Sequence, residues 1–129
     1  MSQSQFAAAA QSTRPEQTTT VVDDEAVQSI LDALDDAHCR CILAATDGEA
    51  LSASEISETC DLALSTAYRK LDTLTELGLL SEQLRVRRSG KHTSEYRRAV
   101  DDVTVSVSPD GIELRVSYKE RETTASLTA

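Results

Sequence analysis

The chain has 129 residues with 22 Asp and Glu against 13 Lys and Arg, a formal charge of −9 and a pI near 4.6. That length predicts one small domain, and no segment is long and apolar enough to span a membrane. The net charge excludes general polyanion binding, so any contact with nucleic acid has to come from a local cationic patch.

Ten arginines stand against three lysines, and the aromatics amount to Phe6 and three tyrosines. This reads as a protein from a salt-in halophile, whose cytoplasm screens like charges and favours hydrated carboxylates. Residues 1–21 lack periodicity and are rich in Gln, Ser and Thr, which predicts a disordered arm. The short FAAAA run is too brief for a secretory segment, so a cytoplasmic location is expected.

Asp23 or Asp24 can cap a helix whose apolar stripe is Val27, Ile30, Leu31 and Leu34. Asp35-Asp36 marks a break, and a second helix over 37–46 offers Cys39, Ile42, Leu43 and Ala45 to a core before Asp47-Gly48 ends it. The first helix stands outside a minimal helix-turn-helix, and its stripe is the candidate dimerisation surface.

Ser52 with Glu55 has capping-box spacing and starts a short helix near Ala53. Asp61-Leu62-Ala63 supplies a turn, and a second helix over about 64–77 buries Ala67, Leu71 and Leu74 on one stripe. Its opposite face presents Ser65, Thr66, Tyr68, Arg69, Lys70 and Thr73. Gly78 sits where a helix end needs positive φ. This is the layout that lays one helix in the major groove of DNA.

Leu80, Leu84 and Val86 then start a hairpin with a basic turn, Arg87-Arg88-Ser89-Gly90-Lys91-His92, returning through Tyr96, Arg97, Arg98 and Val100. A tip of this charge, within a basic wing over 85–98, suits phosphates or the minor groove. Between Arg69 and Arg98 eight basic residues face four acids, whereas the rest of the chain has five against eighteen. The sequence therefore describes an acidic body with one basic face.

A second hairpin follows. Val103, Val105 and Val107, a Ser108-Pro109-Asp110-Gly111 turn, and Ile112, Leu114, Val116 and Tyr118 make one wholly apolar face over 101–119. That face has to pack on the wing sheet, on the first helix or on a second subunit. Residues 120–129 read as a flexible tail. The fold class is α+β, mainly α: a winged helix-turn-helix over 22–100 with an additional C-terminal β-hairpin.

Residues 36–100 resemble the ArsR-type winged helix-turn-helix regulators in the Ile42-Leu43 pair, the Ser52–Glu55 cap, the Leu71, Leu74, Gly78-Leu79-Leu80 run and the wing Tyr96. The similarity is greatest to halophilic archaeal members with extra C-terminal strands. It implies base contacts from Ser65, Thr66, Tyr68 and Arg69, with Lys70, Thr73, Arg87, Arg88, Lys91 and His92 completing the DNA surface. Double-stranded DNA and a second copy of the chain are the expected partners, two half-sites being needed to select a site in a genome.

Cys60-Asp61-Leu62 echoes the arsenic-sensing tripeptide of that family, but it abuts the recognition helix, and Glu58 stands where the second cysteine belongs. Cys39 and Cys41, with His38 beside them, point to different sides of one helix. All three thiols are therefore read as structural, without metal and without a disulfide in a reducing cytoplasm. No glycine-rich phosphate loop or G-x-S-x-G occurs, and His38 and His92 are the only conventional bases. Neither enzyme nor cofactor is expected. The alternative is a winged-helix interaction module in a transcription or replication assembly, using the second hairpin as its partner face.

Overall fold

The computed structural model describes residues 17–119, and within them are four helices and two three-stranded antiparallel sheets. The elements run β1 (Gln17–Val21), α1 (Asp24–Asp35), α2 (Ala37–Ala45), β2 (Leu51–Ser52), α3 (Ala53–Thr59), α4 (Leu64–Glu76), β3 (Leu80–Val86), β4 (His92–Arg98), β5 (Val100–Ser108) and β6 (Gly111–Tyr118). One sheet has the order β2-β4-β3 and is the wing; the other has the order β1-β6-β5. Residues 1–16 and the tail expected over 120–129 lie outside the described residues.

Local chemistry sets each helix boundary. Asp23 accepts from the Ala26 amide at 3.0 Å and starts α1. Asp36 accepts from the Cys39 amide at 3.1 Å and starts α2. Ser52 and Glu55 form the reciprocal capping box, Glu55 N to Ser52 Oγ at 3.2 Å and Ser52 N to Glu55 Oε1 at 2.8 Å. At the far end of α3 the Leu62 amide reaches back to Ser57 O (2.9 Å) and the Asp61 amide to Glu58 O (3.4 Å). This leaves Asp61 at φ 56, and a short polar side chain tolerates that left-handed conformation better than most. The same pair of bonds ends α4, Leu79 N to Leu74 O and Gly78 N to Thr75 O, with Gly78 at φ 81.

One core joins both layers. Ile42, Ile56, Leu71, Leu74 and Leu79 are fully buried beneath the helix-turn-helix, and the same cluster continues through Val27, Ile30 and Ala33 of α1 to Leu114 and Val116 of β6. The second hairpin thus packs on the first helix of its own chain. Sequence reading left three partners open for that face, and α1 is the one it meets.

Two expectations change, and one strand is new. The arm assigned to residues 1–21 ends in strand β1, whose Thr19 and Val21 pair with Val116 and Leu114; its β-branched QTTTV run is the signal that was present. Leu51–Ser52 adds a third strand to the wing, opposite Tyr96 and Glu95, too short for any periodicity to reveal. Cys41 and Cys60 are joined as a disulfide, Cα–Cα 6.0 Å apart, while Cys39 is free and buried. Helix packing brings Cys41 on α2 against the end of α3 across 19 residues of sequence, a proximity the i, i+2 spacing of Cys39 and Cys41 gives no hint of.

Candidate nucleic-acid interface

Helix α4 presents one face to the core and one outward. Ala67, Leu71 and Leu74 are buried, and Ser65, Tyr68, Arg69 and Thr73 are exposed, with Tyr68 49% accessible. Thr66 and Lys70 are half-buried at the margins. Ala63 caps the helix with no side-chain hydrogen bond, so no side chain competes for the first-turn amides.

Lys70 is engaged elsewhere. Its ammonium lies 2.9 Å from Asp36 at the α1–α2 junction, which fixes the outward roll of α4 against the preceding helices. That ammonium, followed by the neighbouring Cys39, holds the Asp36 carboxyl at about 2. Burial first, then Asp36, pushes the Cys39 thiol up to about 11, so it stays protonated and is a poor ligand or nucleophile. Arg69 and Thr73 stand on the side of α4 that borders an open cavity of about 330 Å³, whose other walls include Ser29, Asp32 and Cys39.

The wing strands pair in register from Leu80↔Arg98 to Val86↔His92. Arg87 N donates to Lys91 O and Gly90 N to Arg87 O, both at 2.9 Å, closing the tip with Gly90 at φ 89. Leu84 and Val86 are 63% and 69% exposed, because among the described residues no element packs over the distal half of the ribbon.

The basic residues divide by their partners. Arg85 is held by Glu95 and Glu55, and Arg98 lies 3.1 Å from Asp47. These brace the wing against the body. Arg87 donates through Nε to Thr93 Oγ1 at 3.0 Å, keeping its charge. Among the described residues Arg69, Arg87, Arg88 and Lys91 take part in no ion pair, and His92 is exposed beside them. The positive charge outside these ion pairs is therefore one residue on α4 and three at the wing tip, fewer than the sequence count implies.

The expected dimerisation stripe lies along the side of α1 that faces the core. Val27 and Ile30 are buried within one chain, and Leu31 and Leu34 are half-buried against the same core. The first helix is one of the surfaces on which the second hairpin is expected to pack, and β6 meets it there. Among the described residues no group of three or more His, Cys, Asp or Glu could hold a metal, and no helix is long and apolar enough to cross a membrane.

With this geometry in view, the comparisons with known proteins concern the fold. A family model for a helix-turn-helix domain matches residues 22–83. The crystal structure of NolR from Sinorhizobium fredii is similar with a TM-score of 0.52 at 20% identity, over 61% of this chain and 74% of that one. A homodimeric winged helix-turn-helix DNA-binding domain from Mycobacterium bovis, described as a possible ArsR-family transcriptional regulator, has a TM-score of 0.48 at 22% identity, covering 57% of this chain and 64% of that one. A possible transcriptional regulator from Methanosarcina mazei Go1 has 0.46 at 19%, covering 55% and 62%. This chain thus spans less than two thirds of the last two. No curated protein matches the sequence. The helix-turn-helix match and the wing sheet together make the fold a winged helix-turn-helix with C-terminal strands.

Proposed function

We propose that the protein is a sequence-specific regulator that binds double-stranded DNA as a homodimer, with α4 in the major groove and the wing tip on phosphates or in the minor groove. The observation that carries this reading is the outward placement of Arg69, Arg87, Arg88 and Lys91, which no carboxylate among the described residues neutralises, on an otherwise acidic molecule. Ser65, Thr66, Tyr68, Arg69 and Thr73 are the residues assigned to base and nearby backbone contacts. Lys70 is assigned to positioning α4 through Asp36.

The acidic, arginine-favouring composition supports a high-salt cytoplasm as the working environment. Counterion release gives little there, so hydrogen bonds to base edges must supply more of the affinity. The alternative reading as an interaction module has less support, because α1 already covers Leu114 and Val116 of the face it would use.

The test is binding of the full chain to duplex DNA from upstream of its own reading frame, followed by fluorescence anisotropy in molar potassium chloride. Arg69→Ala is expected to weaken the specific site by ~1–3 kcal/mol, about 5- to 150-fold, and Arg69→Glu by more, with unchanged circular dichroism. Equal affinity for the specific site in Arg69→Glu and the native protein would remove α4 as the reading helix.

A further inference from the structure

We infer that two copies of the chain join edge to edge through β5, making one continuous six-stranded sheet across a two-fold axis. This rests on the dimer reading above and names its interface, in place of the α1 stripe.

Strand β5 is an edge of its sheet, hydrogen-bonded to β6 alone among the described residues. Proteins usually protect such an edge with charge, proline or a bulge. Here the bulge and both acids, Asp101 and Asp102, sit at the strand's beginning. The remaining Val103–Ser108, VTVSVS, has no charge, proline or glycine. In a chain that is 27% charged, this leaves an open row of backbone donors and acceptors without a repelling group.

The apolar side of that edge is also unfinished. Val105 pairs with Leu114 and Val107 with Ile112, so these valines share the face on which α1 packs. Yet Val105 is 48% and Val107 77% exposed, since α1 covers the β6 side of the sheet and leaves this margin bare.

What identifies the occupant is the strand's self-complementarity. Turned antiparallel on itself about Val105, it sets Val103 opposite Val107 and Thr104 opposite Ser106. Residues opposed in an antiparallel pair project to the same face, so every valine joins the apolar side and every small hydroxyl the other. Asp102 falls opposite Ser108, and Asp101 opposite Pro109, so no carboxylate meets another across the axis. The other edge, β1, offers only Val21 as an apolar residue among Gln17–Val21 and has no comparable match to itself.

Full-length protein is examined by size exclusion with light scattering in molar potassium chloride at tens of micromolar. The native chain is expected to run as a dimer, and Val105→Glu with Val107→Glu as a monomer with unchanged circular dichroism, because both side chains are exposed in one copy. Val105→Cys under mild oxidation is expected to give a covalent dimer, pairing with its own copy at the axis, whereas Thr20→Cys on β1 is not. A native dimer that survives the double substitution, with no Val105→Cys cross-link, overturns the β5 interface while the dimer reading stands. A native monomer overturns both, including the case in which residues 1–16 or 120–129 cover β5.

Discussion

The two hairpins of this chain have nearly the same length and opposite duties. The wing, β3–β4, is braced at its base by ion pairs through Arg85 and Arg98, and its distal half projects with Leu84 and Val86 bare and three cations at the tip. The C-terminal hairpin, β5–β6, carries its weight inward, where Leu114 and Val116 complete the core under α1. Hairpin geometry alone decides neither role. The wing is kept out by charges that are costly to desolvate, and the second hairpin is drawn in by an apolar face that two strands cannot shelter.

That contrast is sharpest in stability. Leu114→Ala removes a fully buried side chain and is expected to cost ~2–5 kcal/mol, whereas Leu84→Ala on the wing should stay within about 0.5 kcal/mol. Urea unfolding of the two variants measures the difference, and equal losses would erase the distinction. Next in size is the cross-link between α2 and the end of α3, which belongs to neither hairpin. Cys41→Ser opens a loop of 19 residues and is expected to lower stability by ~3 kcal/mol in the native oxidised protein and by far less once dithiothreitol is present.

In binding the order reverses. Arg87→Ala with Arg88→Ala should leave the melting point unchanged while reducing the slope of log affinity against log salt by about two units, similarly for all DNA sequences. A loss confined to one operator position would instead make the wing a base reader.

Acid should separate the hairpins last and least. Gln83 and then Arg85 hold the Glu95 carboxyl below the usual range, and the Ser52 amide does the same for Glu55. Their contribution is complete above the unfolded value of about 4.3 and fades as pH falls through the lower folded values. Amide exchange between about pH 5 and pH 3 is therefore expected to rise first in β3 and β4, ahead of β6. Simultaneous loss in both sheets would show that the Glu55–Arg85–Glu95 brace is not what steadies the wing.

Much of this architecture is legible in the sequence alone. Caps at Asp23 and Ser52, the Asp35-Asp36 break, the Gly78 stop and the apolar stripes act within a few residues of sequence, so local chemistry determines the four helices, both hairpins and the helix-turn-helix with its exposed Ser65, Tyr68 and Arg69. Contacts between distant segments were not legible in that way. Only packing places β6 over Val27 and Ile30, brings Cys41 to Cys60, adds Leu51–Ser52 to the wing and recruits Gln17–Val21 as a strand. The same holds for charge: the run of cations in the sequence is one basic block, and only the fold commits Lys70, Arg85 and Arg98 to carboxylates and leaves Arg69, Arg87, Arg88 and Lys91 facing outward. A pattern along the chain specifies which face of an element is apolar, but which surface covers that face depends on where the chain's other segments come to lie.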